Sequence, residues 1–191
     1  WRAGSVAARA RLIIGSGRGG RLGVFMNDGR GGFTSRPEPR FAHPVTRDQT
    51  GIVGFKRADG AAMVLAGSAN YEDGLAVGAS VRQYDFARQA IEDSLPGHAS
   101  STGPLALADV DGDGDLDLFV GGRVLPGRYP EAASSRLFRT TNGKWELDAA
   151  NSKALANIGL VSGAVWSDLT GDGFPELILA CEWGPVLVFK N

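Results

Sequence analysis

The sequence predicts an all-β fold built from a repeated four-stranded unit of roughly fifty residues, the unit of a β-propeller blade. Three observations predict it. The apolar run Leu118-Phe119-Val120-Gly121 has counterparts at Leu12-Ile13-Ile14-Gly15, Val64-Leu65-Ala66-Gly67 and Leu177-Ile178-Leu179-Ala180, at successive offsets of 52, 54 and 59 residues. An acidic loop precedes the last two copies in the same register. Helical periodicity is nearly absent, while Gly, Pro and β-branched runs dominate. An all-β sandwich could use the same strands, but it does not account for a loop that recurs in register.

The repeats divide the chain approximately at 1–48, 49–102, 103–160 and 161–191. In the first, Leu22 to Met26 and Phe33 flank Asn27-Asp28-Gly29, a hairpin turn. The second contains the apolar run at Val64, and Phe86 to Ser94 shows a weak amphipathic spacing. In the third, Leu105 to Ala108 leads into the acidic loop, Leu116 to Val120 follows, then Arg136 to Thr140, and Lys144 to Leu147 after the Asn142-Gly143 turn. The fourth stops at Val188-Phe189-Lys190-Asn191, which matches Val24-Phe25-Met26-Asn27 and falls in mid-hairpin. About three and a half blades result, and closed propellers need four to eight. The expectation is therefore a fragment, beginning at Trp1, that forms an open arc and self-associates through exposed blade edges and apolar faces.

The loop at 109–117 reads DVDGDGDLD. Two carboxylates about 4 Å apart repel by roughly 4 kcal/mol at an effective dielectric of 20, so an empty loop is held open and a divalent ion reverses the sign. Asp109, Asp111 and Asp113 occupy positions 1, 3 and 5 of a calcium loop, Gly114 permits the sharp turn at position 6, Asp115 offers its carbonyl at 7 and Asp117 closes the cage at 9. A helix-loop-helix hand wants Glu at position 12, where this chain has Val120, so the loop leads into a strand. Turn propensity explains Asp-Gly pairs but not carboxylates at alternate positions ahead of a strand. Oxygen-only donors on a flexible loop suit Ca2+ better than Mg2+.

The second loop reads DLTGDGFPE, which puts Asp168, Thr170, Asp172, Gly173 and Glu176 on positions 1, 3, 5, 6 and 9, with the Phe174 carbonyl at 7. The second repeat has Phe55, Arg57, Asp59, Gly60 and Met63 there, keeping the turn and losing the ligands; Arg57 offers Asp59 a fixed positive charge instead. In the first repeat Ala3, Ala7 and Arg11 take those places.

Composition excludes several function classes. Net charge is −1, so no global field points to nucleic acid or an anionic membrane, and the arginines of residues 1–57 are scattered through predicted strands and turns. No run approaches the ~18 apolar residues of a membrane helix. Cys181 is the single cysteine, which rules out an intrachain disulfide, and it reads as a small buried side chain. Gly15-Ser16-Gly17-Arg18-Gly19-Gly20 satisfies a dinucleotide fingerprint, but Arg21 to Met26 reads as a strand, and without a helix amino terminus there is no phosphate cradle. His43 and His98 read as solvated loop residues. Trp145, Trp166 and Trp183 fall on strands or their ends, where burial between blades is expected; Glu182 and Trp183 also stand where a loop rim could carry a ligand.

Together, the two acidic loops, the LFVGG run and the LFRTTNG hairpin resemble the FG-GAP and VCBS repeats of calcium-binding propellers. The stretch VSGAVWSDLTGDGFPELILACEWGPVLVFKN is also similar to secreted proteins of the ASPIC/UnbV, cartilage-acidic-protein-like type. The resemblance is sharp over about 103–191 and diffuse before it. It implies seven- or eight-bladed propellers on extracellular proteins, with calcium between the first two strands of a blade. Carried over, the ligands are Asp109, Asp111, Asp113, Asp115 and Asp117, then Asp168, Thr170, Asp172, Phe174 and Glu176. Thr170 and Glu176 depart from the acidic pattern, which implies a weaker or differently coordinated second site.

The leading functional expectation is a secreted or cell-surface, calcium-stabilised module that binds protein or carbohydrate in adhesion. The alternative is the propeller part of a secreted, polysaccharide-active enzyme. Neither paired carboxylates outside the metal loops, nor a catalytic His constellation, nor a cofactor motif supports catalysis, so the chain reads as no enzyme, with no nucleic-acid partner and no membrane insertion.

Overall fold

A computed structural model describes residues 10–191, so Trp1, Ala3 and Ala7 lie outside the described residues. The described chain is all-β, with four antiparallel sheets and almost no helix. The first sheet contains β1 (Arg11–Ile14), β2 (Gly23–Asn27) and β3 (Phe33–Ser35). The second runs β4 (Gln49–Lys56), β5 (Ala62–Ser68), β6 (Ala79–Asp85) and β7 (Ala90–Pro96). The third runs β8 (Ser101–Ala108), β9 (Asp117–Val124), β10 (Arg136–Thr141) and β11 (Lys144–Leu147). The fourth holds β12 (Leu160–Ser167), β13 (Glu176–Glu182) and β14 (Val186–Phe189). Strands follow one another across each sheet in chain order. The repeated apolar run falls on β1, β5, β9 and β13.

Each hydrophobic cluster lies between consecutive sheets. Leu22, Phe41, Val64, Ala66 and Tyr84 join the first sheet to the second. Leu65, Val81 and Leu95 meet Leu105, Leu118, Val120 and Phe138 between the second and third. Ala106, Phe119 and Leu137 meet Val161, Leu177 and Leu179 between the third and fourth. Neighbours on one strand therefore serve different cores: Leu118 and Val120 face one way and Phe119 the other. A strand whose two faces are both covered has no polar side to show, which explains the unbroken apolar runs. Among the described residues the outer sheets pack against another sheet on one face only. Leu12, Ile14 and Phe33 stay exposed on the first, and Val165, Val186 and Val188 on the fourth.

The first strands of the sheets approach one another by their backbones. A Cβ on Gly51 of β4 would stand 2.7 Å from the Leu105 nitrogen of β8, and one on Gly103 would stand 3.1 Å from the Val161 oxygen of β12. At Gly51 a side chain would collide with the β8 backbone, and at Gly103 it would press on Val161, so glycine is what lets these strands come so close.

The Asn142-Gly143 turn forms as read, both residues at positive φ (52° and 73°), the geometry that matches the twist of a two-residue hairpin. The glycine-rich stretch after β1 leads into β2, a strand and not a helix. Two details differ from the sequence reading. The weak amphipathic segment from Phe86 is a turn followed by β7, because its apolar residues pair across the sheet with β6. The one α-helix of the described residues, α1 (Ala149–Ala154), was not legible, since it carries no apolar stripe; Asp148 caps it by accepting from the Asn151 N–H at 3.0 Å.

Candidate metal centre

The β8–β9 and β12–β13 loops are built alike. In the first, Asp109 Oδ1 accepts the Gly112 N–H at 2.7 Å and its Oδ2 accepts the Gly114 N–H at 2.9 Å. In the second, Asp168 Oδ1 accepts from Gly171 at 2.6 Å and Oδ2 from Gly173 at 2.9 Å. Gly112 and Gly114 have φ of 78° and 91°; Gly171 and Gly173 have 75° and 91°. Those angles exclude ordinary side chains at little cost only to glycine. The position-5 aspartates behave alike as well: Asp113 accepts from the Asp115 N–H at 2.8 Å and Asp172 from the Phe174 N–H at 3.0 Å. The loops are neighbours in space, since a Cβ on Gly112 would lie 3.3 Å from the Phe174 ring.

Each loop is closed by a buried carboxylate at the head of the next strand. Asp117 is 1% exposed, and its Oδ2 accepts the Val110 N–H at 3.2 Å. Glu176 is 2% exposed, and its Oε2 accepts the Leu169 N–H at 2.8 Å. Beyond that bond the two diverge. Asp117 Oδ1 accepts the Thr140 N–H at 2.9 Å, and Arg139 Nη1 stands 3.1 Å from Asp117 Oδ2 and 3.2 Å from Asp111 Oδ2. The same guanidinium reaches the α1 cap, its Nε lying 3.1 Å from Asp148. Glu176 Oε1, by contrast, is buried and has no hydrogen-bond partner among the described residues. An unmet buried carboxylate oxygen costs about 1–3 kcal/mol or more.

Burial pushes the Asp117 carboxyl up, and the N–H groups of Thr140 and Val110 together with Arg139 only partly offset it. Asp172 is held below the usual carboxylate range, first by the Phe174 N–H and then by the Thr170 hydroxyl, with Lys190 adding a weaker pull. Register places Lys190 after Phe189, paired with Leu177, as Arg139 follows Phe138, paired with Leu118.

Of the residues expected to bind a metal, Asp109, Asp111 and Asp117 each bring an oxygen within 4.8 Å of the others, a group that could hold a metal ion. Asp113 and Asp115 are exposed and lie outside that group. Asp168, Thr170, Asp172 and Phe174 are exposed around the second loop, with Glu176 buried beneath them. The corresponding β4–β5 loop carries its own countercharge: Arg57 Nη2 lies 2.8 Å from Asp59 and Nη1 3.5 Å from the buried Asp85. Arg139 was missed by sequence reasoning. Its only linear signal is a cation placed two strands downstream of the Asp-rich loop.

Among the tryptophans, Trp145 lies between the second and third sheets, its Nε1 donating to Gln83 at 3.3 Å, and Trp166 packs against the cluster of the third and fourth. Trp183 corrects the expectation of burial. It is 83% exposed, because a φ of 58° at the β13–β14 turn swings the indole outward. His43 is exposed as read, whereas His98 is half-buried, accepts the Ser100 N–H at 3.1 Å on Nδ1, and is pushed down by burial and then by Arg136. Cys181 is half-buried, which raises its thiol above the ordinary range. Among the described residues no helix is long and apolar enough to cross a membrane.

No curated protein matches the chain. The stretch that contains both acidic loops does have a family counterpart, and it begins on the first aspartate of one loop and ends inside β13, past the closing glutamate of the other. This chain, whose all-β sheets fit a β-propeller, carries at residues 109–179 an FG-GAP-like repeat.

Proposed function

We propose that the chain is a calcium-stabilised β-propeller module of an extracellular or cell-surface protein, of the ASPIC/UnbV type, that binds a protein or glycan in adhesion and performs no catalysis. Its sheets are read as consecutive blades in an arc of a seven- or eight-bladed ring. The exposed faces at Leu12, Ile14 and Phe33 and at Val165, Val186 and Val188 are the surfaces through which copies of the isolated chain would associate.

The observation that carries the reading is the orphaned Oε1 of Glu176 beneath a loop with the backbone geometry of its neighbour. The donor set fits a hard ion: carboxylates, one hydroxyl and a carbonyl, with neither His nor Cys in the loops. Asp109, Asp111 and Asp117 would hold one ion, with Asp113 and the Asp115 carbonyl completing the loop. Asp168, Thr170, Asp172, the Phe174 carbonyl and Glu176 would hold the other. A bound divalent ion supplies the charge that lets these oxygens converge. The loops themselves tie the ends of β8 to β9 and of β12 to β13, so closing them stiffens adjacent sheets.

Thermal melting with chelator and with added calcium tests this. At a calcium concentration about twentyfold above Kd, each occupied site adds about 1.8 kcal/mol, which for a chain of this size raises Tm by about 4–7 °C. Extracellular sites have Kd of about 10⁻⁴–10⁻³ M, so millimolar calcium is the appropriate range. Melting that is the same in EDTA and in excess calcium would refute the reading.

A further inference from the structure

A cleft of about 260 Å³ opens where the second, third and fourth sheets meet. It lies at the end of the sheets opposite the acidic loops, separated from them by the eight residues of β8, or roughly 25 Å. Thr50, Tyr71, Thr102, Arg123, Tyr129 and Glu182 line it, and Trp183 adjoins it through its hydrogen bond to Tyr129.

These side chains are connected before any ligand arrives. The Trp183 indole N–H donates to the Tyr129 hydroxyl. That hydroxyl donates to Glu182 Oε1 at 2.8 Å, and Arg123 donates to Glu182 Oε2. The indole is thus fixed by its edge while its faces stay in solvent, with 83% of the residue exposed. A bulky residue at positive φ is a genuine outlier, and such conformations concentrate at ligand sites.

The chemistry selects a ligand. Arg123 and Glu182 are the two charged groups lining the cleft, and each is occupied by the other, so neither a cation nor an anion gains an uncompensated partner. Tyr129 and Arg123 hold the Glu182 carboxyl below its usual range, which keeps the pair ionised. What remains is a set of hydroxyls, a fixed donor–acceptor pair and an open aromatic face. The volume falls just under the ~300 Å³ at which drug-sized pockets begin, which suits a single ring. Building on the reading of the chain as a binding module, we propose that this cleft binds a neutral saccharide, with the apolar face of one pyranose ring on the Trp183 indole and its hydroxyls on Arg123 and Glu182.

The test uses methyl pyranosides of glucose, galactose, mannose, fucose, xylose and N-acetylglucosamine, with choline and methyl glucuronide as charged controls. Indole N–H resonances are followed by NMR, with the Trp183 signal assigned from Trp183→Ala, and the affinities of parent and variants are read from the glycoside's own signals by saturation transfer. At least one neutral glycoside should shift that signal. Trp183→Ala should weaken binding by about tenfold or more, and Tyr129→Phe should weaken it less, by freeing the indole. Both variants should melt like the parent and keep its response to chelator. No shift with any pyranoside, undiminished binding by Trp183→Ala, or preferential binding of either charged control overturns the proposal. The chelation response is read on the same samples, so failure of the calcium reading would appear separately from failure of the saccharide site.

Discussion

The β8–β9 and β12–β13 loops share their glycine angles and their aspartate-to-backbone bonds, and they differ in what neutralises the buried carboxylate beneath. Asp117 is met by two backbone N–H groups and by Arg139, which also bridges Asp111 and Asp148. Glu176 keeps one backbone N–H and leaves Oε1 unmet. The β4–β5 loop extends the series, since Arg57 there stands between Asp59 and Asp85 as a built-in countercharge. Three loops at equivalent places thus show three ways to handle negative charge. The loop with the most aspartates is not the one with the greatest unmet need for a cation.

That contrast can be broken most strongly at the closing residue. In chelator, Asp117→Asn should cost about 1–3 kcal/mol, because an amide has one acceptor oxygen for the Val110 N–H, the Thr140 N–H and Arg139, and a buried donor is left unmet. Glu176→Gln should cost little in chelator, since Glu176 has no cationic partner to lose, while abolishing the calcium gain of the second loop. Denaturant unfolding with EDTA reads both, and equal losses would erase the distinction between the loops.

Arg139→Met sharpens it next. Arg139 competes with any cation for Asp111 and Asp117, so its removal should destabilise the chain in chelator yet tighten calcium at the first loop by about tenfold, a gain of about 1.4 kcal/mol. Calorimetric titration of calcium checks this, and weaker binding in the variant would mean that Arg139 organises the site instead of opposing the ion. The smallest effect is expected at Asp113. It is exposed and its side chain makes one bond to its own loop, so Asp113→Ala should change stability in chelator by under about 0.5 kcal/mol and reduce only the calcium-dependent part.

Much of the fold was legible because its signals are local. Asn142-Gly143 requires two positive φ angles, and the structure has them. The in-register recurrence at 118 and 177 marked equivalent strands, and those residues fall on β9 and β13. Helix α1 was hidden because one capping Asp and a few polar residues, without a buried stripe, leave no periodic trace. Trp183 misled because an indole at a strand end is ordinarily buried, and only the left-handed backbone of its turn turns it outward.

The sequence alone determined where the acidic loops bend and which oxygens they offer, because glycine φ preferences and aspartate-to-backbone bonds act over two to five residues. Tertiary structure decided which of those charges is already compensated, since Arg139 arrives from β10 and, among the described residues, none does the same for Glu176 Oε1. It also decided that residues from three sheets share a cleft at the opposite end. Countercharge and clefts are made by side chains distant in the chain, and their convergence is set by how the sheets pack, which no local spacing encodes.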